Sequence, residues 1–170
     1  RRTMDDLTGN VAVVTGAQQG IGQAIALAMA KAGAHVIVNY LDDADAAAAT
    51  ASAAREYGVK AEPAGADVAK PADVESLMQA ADKLGGASIL VNNAAVFPRS
   101  PFLDSTESEW DLVLGVNLKG SFLCTQATAK RMVGAGRAGA IINLTSGAAF
   151  RGSPRGAHYV SSKAGVVGFT

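Results

Sequence analysis

Val11-Ala12-Val13-Val14-Thr15-Gly16-Ala17-Gln18-Gln19-Gly20-Ile21-Gly22 is the stretch whose reading decides how this chain folds. Its first five residues make a continuous apolar, β-branched run, the kind of strand that is buried on both faces of a parallel sheet. Glycines at 16, 20 and 22 then allow a tight turn, a close backbone approach and close packing of a helix on the strand. Apolar residues follow at helical spacing from Ile21 to Ala32 (Ile21, Ile25, Ala28, Met29) and stop at Gly33. Strand, glycine turn and helix in immediate succession leave free backbone N–H groups and the positive end of a helix dipole at the turn. Such a place suits a pyrophosphate.

Working outward, the same alternation repeats. His35 to Tyr40 reads as a second strand, and the Ala-rich run from Asp42 to Tyr57 as a helix ended by Gly58. Lys60 to Asp67 is a weaker strand. It contains Pro63, which cannot donate a ladder hydrogen bond and therefore predicts a sheet edge. Pro71 to Leu84 is a helix with proline in its first turn, and Ile89-Leu90-Val91 a fourth strand. Thr106-x-x-Glu109 is a capping box opening a long helix to about Val133. Ala140 to Leu144 is a fifth strand, and a last helix starts near Ala157. Ten alternating elements imply right-handed crossovers and a doubly wound parallel α/β sheet in one domain, residues 1–170. The chain stops at Phe169-Thr170 within a helical stretch with no capping signal, so the sequence reads as truncated after the fifth strand and the start of the following helix.

Composition narrows the function. Fifteen basic and fifteen acidic residues cancel, which argues against an electrostatic grip on nucleic acid or an anionic membrane. With 49% hydrophobic and 18% charged residues among 170, the chain is globular and large enough to bury a core. The single cysteine, Cys124, lies in the apolar stretch Phe122-Leu123-Cys124 and reads as a buried, inert thiol in a reducing compartment. No apolar run follows Arg1-Arg2, so no secretory signal is read, and no run approaches membrane-spanning length. A soluble, cytoplasmic protein with no metal site is expected.

The chemistry sits late in the chain. In Tyr159-Val160-Ser161-Ser162-Lys163, tyrosine and lysine are four apart and share a helix face. A phenol ordinarily titrates near a pH of about 10 and is a poor base at neutrality, but a neighbouring ammonium favours its anion. Thirteen positions upstream, Ser146 follows the fifth strand, where a strand–loop–helix arrangement can bring its hydroxyl beside the phenol. Asn117, in Val116-Asn117-Leu118-Lys119-Gly120, is unfavourable by propensity inside a long helix, which suggests a functional or kink-stabilising role.

The spacing Thr15-Gly16-x-x-x-Gly20-x-Gly22, together with Asn92-Asn93-Ala94 and Tyr159-x-x-x-Lys163, resembles the short-chain dehydrogenase/reductase family, in its simple single-domain branch. The resemblance covers essentially the whole chain. It implies a Rossmann fold and reversible hydride transfer between NAD(P)(H) and a carbonyl or secondary alcohol. It also implies roles: Tyr159 transfers the proton, Ser146 bonds the substrate oxygen, Lys163 also holds the nicotinamide ribose, and Asn117 anchors a proton-relay water. Cofactor contacts are implied at Gly16, Gln18, Gln19, Gly20, Ile21 and Gly22. Further contacts fall at Asp67 and Val68 by the adenine, at Asn93, Ala94 and Ala95, and at Tyr159 and Lys163. Ala95 departs from the family's usual glycine and adds a methyl beside the cofactor.

An acid at the end of strand two would bind a ribose 2′-hydroxyl; a base would favour a 2′-phosphate. Tyr40 stands where NAD-using relatives carry aspartate, and its lack of charge tilts the expectation toward NADP. Asp42 and Asp43 either oppose a phosphate or begin a solvent-facing helix. The segments 97–102 and 150–155 are expected to border a substrate pocket, with Arg151 and Arg155 as solvated loop residues and His158 as a bystander. Substrate identity is not legible. A homo-oligomer is expected of the full-length protein. Two other readings are a dinucleotide-binding module without turnover and an inactive fragment of such an enzyme.

Overall fold

The structure is a computed structural model that describes residues 6–170. Residues 1–5, which carry the reading of Arg1-Arg2, lie outside the described residues. In order come β1 (Val11–Val14), α1 (Gly20–Lys31), β2 (His35–Tyr40), α2 (Ala44–Arg55), β3 (Ala61–Gly65) and α3 (Pro71–Lys83). They are followed by β4 (Ile89–Asn92), α4 (Glu107–Leu114), α5 (Gly120–Gly134), β5 (Ala140–Asn143), α6 (Ala148–Arg151) and α7 (Ala157–Phe169).

The five strands form one parallel sheet in the order β3-β2-β1-β4-β5. Strand order therefore reverses between β1 and β4, the crevice where open α/β sheets take their ligands. Pro63 lies on β3, at the sheet edge that a missing donor requires. Alternate side chains of β1 feed two cores. Ala12 and Val14 join Val36, Val38 and the alanines of α1 and α2 on one face. Val11 and Val13 join Ile37, Leu77, Met78 and Cys124 on the other. The alanine-rich faces of α1 and α2 have no bulk, so both helices lie close against the sheet.

Three features depart from the sequence reading. α2 begins at Ala44 because the Asp43 carboxylate accepts the Ala46 N–H and caps it, leaving Asp42 outside the helix. The capping box of Thr106 and Glu109 is present, but the long helix it opens is interrupted by a π-helical segment, Gly115–Lys119, with Asn117 at its centre. α6 and a short 3-10 turn at Phe102–Asp104 occupy stretches read as loop. Among the described residues no helix is long and apolar enough to cross a membrane.

Candidate active site

A cleft of about 490 Å³ opens at the C-terminal ends of β1, β2, β3 and β4. Its volume lies within the usual range for small-molecule sites, roughly 300–1,000 Å³. The glycine turn forms its floor. Gly16 has φ +61°, a backbone that L side chains rarely adopt. A Cβ on Gly22 would collide with the Gly16 carbonyl oxygen and the Asn93 amide, so only glycine lets α1 pack this tightly on the turn. α1 has no acidic residue in its first turn and no side-chain cap, so its N-terminal N–H groups remain available to an anion.

Side chains brace the turn from three strands. Thr15 Oγ1 accepts the N–H groups of Asn93 and Ala94, both at 3.0 Å. The Asn93 amide donates to the carbonyls of Thr15 and Gly16, at 2.9 and 3.0 Å. Asn39, buried within β2, accepts the Gly16 N–H at 3.0 Å and donates to Ala64 and Ala66 beyond it. Sequence reasoning missed Asn39. Its signal was there: a lone amide ending the apolar run Val36-Ile37-Val38 needs buried partners.

Most of the expected cofactor residues line this cleft: Gln18, Gln19 and Ile21 from the turn, Asp67 and Val68 after β3, and Ala94 and Ala95 after β4. Tyr40 is not among them. Strand side chains alternate, so Asn39 and Leu41 face the cleft while the Tyr40 ring turns to Gly65 and the α1–α2 core. Asp42 also lines the cleft. Gly20 opens α1 beside it.

Tyr159 and Lys163 stand one turn apart on α7, adjoining the cleft through Asn117. The Asn117 side chain accepts the Val96 N–H at 2.8 Å and donates to the Val96 carbonyl at 3.0 Å and to Ser162 Oγ at 3.1 Å. Val96 lines the cleft and Ser162 precedes Lys163, so one buried amide ties cleft wall to helix. The π segment that carries it widens the helix by one residue, a device frequent at functional sites. Lys163 is buried; its Nζ donates to the Leu144 carbonyl at 2.8 Å and lies 5.8 Å from the Tyr159 ring centroid. Burial pulls the Lys163 amine below its ordinary value.

Ser146 Oγ accepts the Ala148 N–H at 3.2 Å, in the turn that opens α6. Phe97 stacks on Tyr159, centroids 4.1 Å apart and rings 15° from parallel, with the Arg99 guanidinium 5.2 Å from the Phe97 centroid. Ser100, in the same segment, donates to the Glu109 carboxylate, which the Thr106 N–H first and then this bond hold below the ordinary carboxylate range. Arg151 and Arg155 are exposed. His158 is buried, and its Nδ1 accepts the Tyr159 N–H at 2.7 Å.

Comparison with known proteins agrees with this architecture. The model of the short chain dehydrogenase family matches residues 10–170. The chain is a short-chain dehydrogenase/reductase. A 3-oxoacyl-[acyl-carrier-protein] reductase from Synechocystis is 42% identical over 168 residues, which are 98% of this chain and 68% of that protein. Among solved structures, a protein assigned as a short-chain alcohol dehydrogenase from Sinorhizobium meliloti superposes with a TM-score of 0.94 at 41% identity, covering 99% of this chain and 66% of that one. Acetoin dehydrogenase from Salmonella typhimurium gives 0.90 at 33% identity, covering 95% and 64%. This short-chain dehydrogenase/reductase thus spans about two thirds of the relatives it matches.

Proposed function

We propose that the protein transfers a hydride between a nicotinamide dinucleotide and a carbonyl or secondary alcohol, with Tyr159 as general acid and base. The observation that carries this reading is the tie through Asn117, which joins the wall of the glycine-turn cleft to the helix bearing Tyr159 and Lys163. The cleft fits such a cofactor. It offers an uncapped helix N-terminus for the pyrophosphate, a cradle that a Cβ on Gly22 would fill, and a buried carbonyl oxygen, Gln18 Oε1, with no partner.

Gly16, Gln19, Ile21 and Gly22 would hold the diphosphate, Asp67 and Val68 the adenine side, and Asn93, Ala94 and Ala95 the stretch toward the nicotinamide. When bound, the dinucleotide supplies a hydride to the carbonyl carbon or removes one from the alcohol carbon. The remaining work belongs to the chain. In the reducing direction the Tyr159 hydroxyl gives its proton to the substrate oxygen as that oxygen gains charge; in the oxidising direction the phenolate takes it back. Ser146 Oγ spends a lone pair on the Ala148 N–H, which leaves its own O–H to donate to the substrate oxygen. One Lys163 N–H is committed to Leu144, and two remain for the ribose and for the field at the phenol. Asn117 positions α7 against the cleft. The stacking of Phe97 on the Tyr159 ring supports a substrate-side role for the segment 97–102.

Turnover in the full-length protein, followed as oxidation of reduced dinucleotide across a panel of ketones, aldehydes and 3-oxoesters, tests the reading. Tyr159→Phe is expected to lose about 100- to 10,000-fold in rate. Unchanged turnover in that variant would defeat the mechanism.

A further inference from the structure

We infer that His158 is a positioning residue for the proton transfer: its imidazole caps the backbone N–H of Tyr159 and so fixes the start of α7, and with it the phenol. The inference rests on the reading of Tyr159 as general acid and base, and it gives a task to a residue expected as a bystander.

Tyr159 lies in the first turn of α7, where backbone N–H groups have no acceptor within the helix. Such a turn is ordinarily held by a polar side chain at the residue before it, or by an acid inside it. α7 has neither. The preceding residue is Gly156, and the first turn holds no acidic residue. Phe97 is the reason for the glycine. A Cβ on Gly156 would stand 2.5 Å from Phe97 Cε2 and 3.0 Å from its Cζ, and this is the ring stacked on Tyr159. The stack on the phenol therefore excludes the side chain that would cap the phenol's own helix.

His158 takes over that task. Its Nδ1 accepts the Tyr159 N–H at 2.7 Å. At the other end of the same residue, the Tyr159 carbonyl accepts the Ser162 hydroxyl at 2.8 Å, and Ser162 in turn accepts from the Asn117 amide. Tyr159 is thus held at its N–H, at its carbonyl and on its ring face. The imidazole is 1% exposed, and its Nε2 is buried with no hydrogen-bond partner among the described residues. An accepting Nδ1 leaves the ring's proton on Nε2, so a buried donor stays unsatisfied for the sake of the bond at Nδ1. A leucine would fill the same space without that cost. Packing alone does not account for an imidazole here; the bond to Tyr159 does.

Three substitutions in the full-length protein test this, because two of them separate the ring nitrogens. The side-chain oxygen in His158→Asn reaches the place of Nδ1, whereas that in His158→Gln reaches the place of Nε2. His158→Leu and His158→Gln are each expected to lower kcat at least about tenfold, since small misplacements of a reacting group are costly. Dinucleotide affinity, measured by calorimetry, is expected to stay at the parent value, and hydrogen exchange at the Tyr159 amide to quicken. His158→Asn is expected to restore most of the rate and of the amide's protection. Parent kcat in His158→Gln, or equal losses in His158→Asn and His158→Gln, overturns the inference. The comparison of asparagine with glutamine decides the matter even where His158→Leu does not fold. Failure of the acid–base reading shows separately, as turnover surviving in Tyr159→Phe, while exchange at the Tyr159 amide reports the His158 bond without any turnover.

Discussion

The two sides of the switch point are built differently. On the β3-β2-β1 side, every residue of β1 is buried, two cores enclose the sheet, and the turn is held by backbone bonds and the amides of Asn39 and Asn93. On the other side, β5 alternates exposed and half-buried residues, Ile142 lies open, and α7 is tied in by polar side chains as well as by packing. The polar contacts run from Asn117 to Ser162, Lys163 to Leu144, Thr145 to the Lys163 carbonyl and Asn143 to Thr170, beside the ring contacts of Phe97 with Tyr159 and Phe122 with Phe169. The difference separates labour: the binding side depends on shape and glycine, the chemical side on individual polar groups.

Changes on the binding side should therefore be felt most broadly. Gly22→Ala forces a methyl into the Gly16 carbonyl, and the turn must open. Dinucleotide affinity is expected to fall at least tenfold and stability by about 1–3 kcal/mol, measured by calorimetry and denaturant unfolding. Preserved affinity would mean that the turn is looser than its packing indicates.

Asn117→Ala acts at the join. It strips partners from the Val96 N–H and carbonyl, for an expected loss of about 1–3 kcal/mol. Hydrogen exchange is expected to quicken at Val96 and along α7 while the glycine turn stays protected. Uniform loss of protection would erase the distinction between the two sides.

Cys124 gives the smallest effect and marks the shared core. Burial pushes its thiol up from 9.0 to about 12. At pH 9 the folded thiol stays protonated while about half of the unfolded thiols ionise, so this residue's contribution to stability is lost as pH rises above 9. A thiolate-specific reagent at that pH should label the native protein only at its unfolding rate, and the denatured protein at once. Fast labelling of the native protein would contradict the packing of α5 on the sheet.

What the sequence disclosed follows the same division. The glycine turn, the proline edge strand, the capping box and the Tyr159–Lys163 spacing are local patterns, and each is legible from a few neighbouring residues. Asn39 was not, because its partners are Gly16, Ala64 and Ala66, brought together only by sheet pairing. The side of the strand end that lines the cleft was not legible for a related reason: Tyr40 packs toward Gly65, while Leu41 and Asp42, just past β2, line the cleft. The π segment was foreshadowed by an asparagine in a helix interior, but its form depends on Val96 and Ser162, at distances of 21 and 45 residues.

Paired measurement of dinucleotide affinity and turnover in Tyr159→Phe and Gly22→Ala bears most directly on the division between binding and chemistry. The phenol variant is expected to keep the parent affinity and lose turnover by at least about 100-fold, while the glycine variant loses affinity itself. Loss of affinity in Tyr159→Phe to the same degree as in Gly22→Ala, or turnover surviving the loss of the phenol, would contradict it.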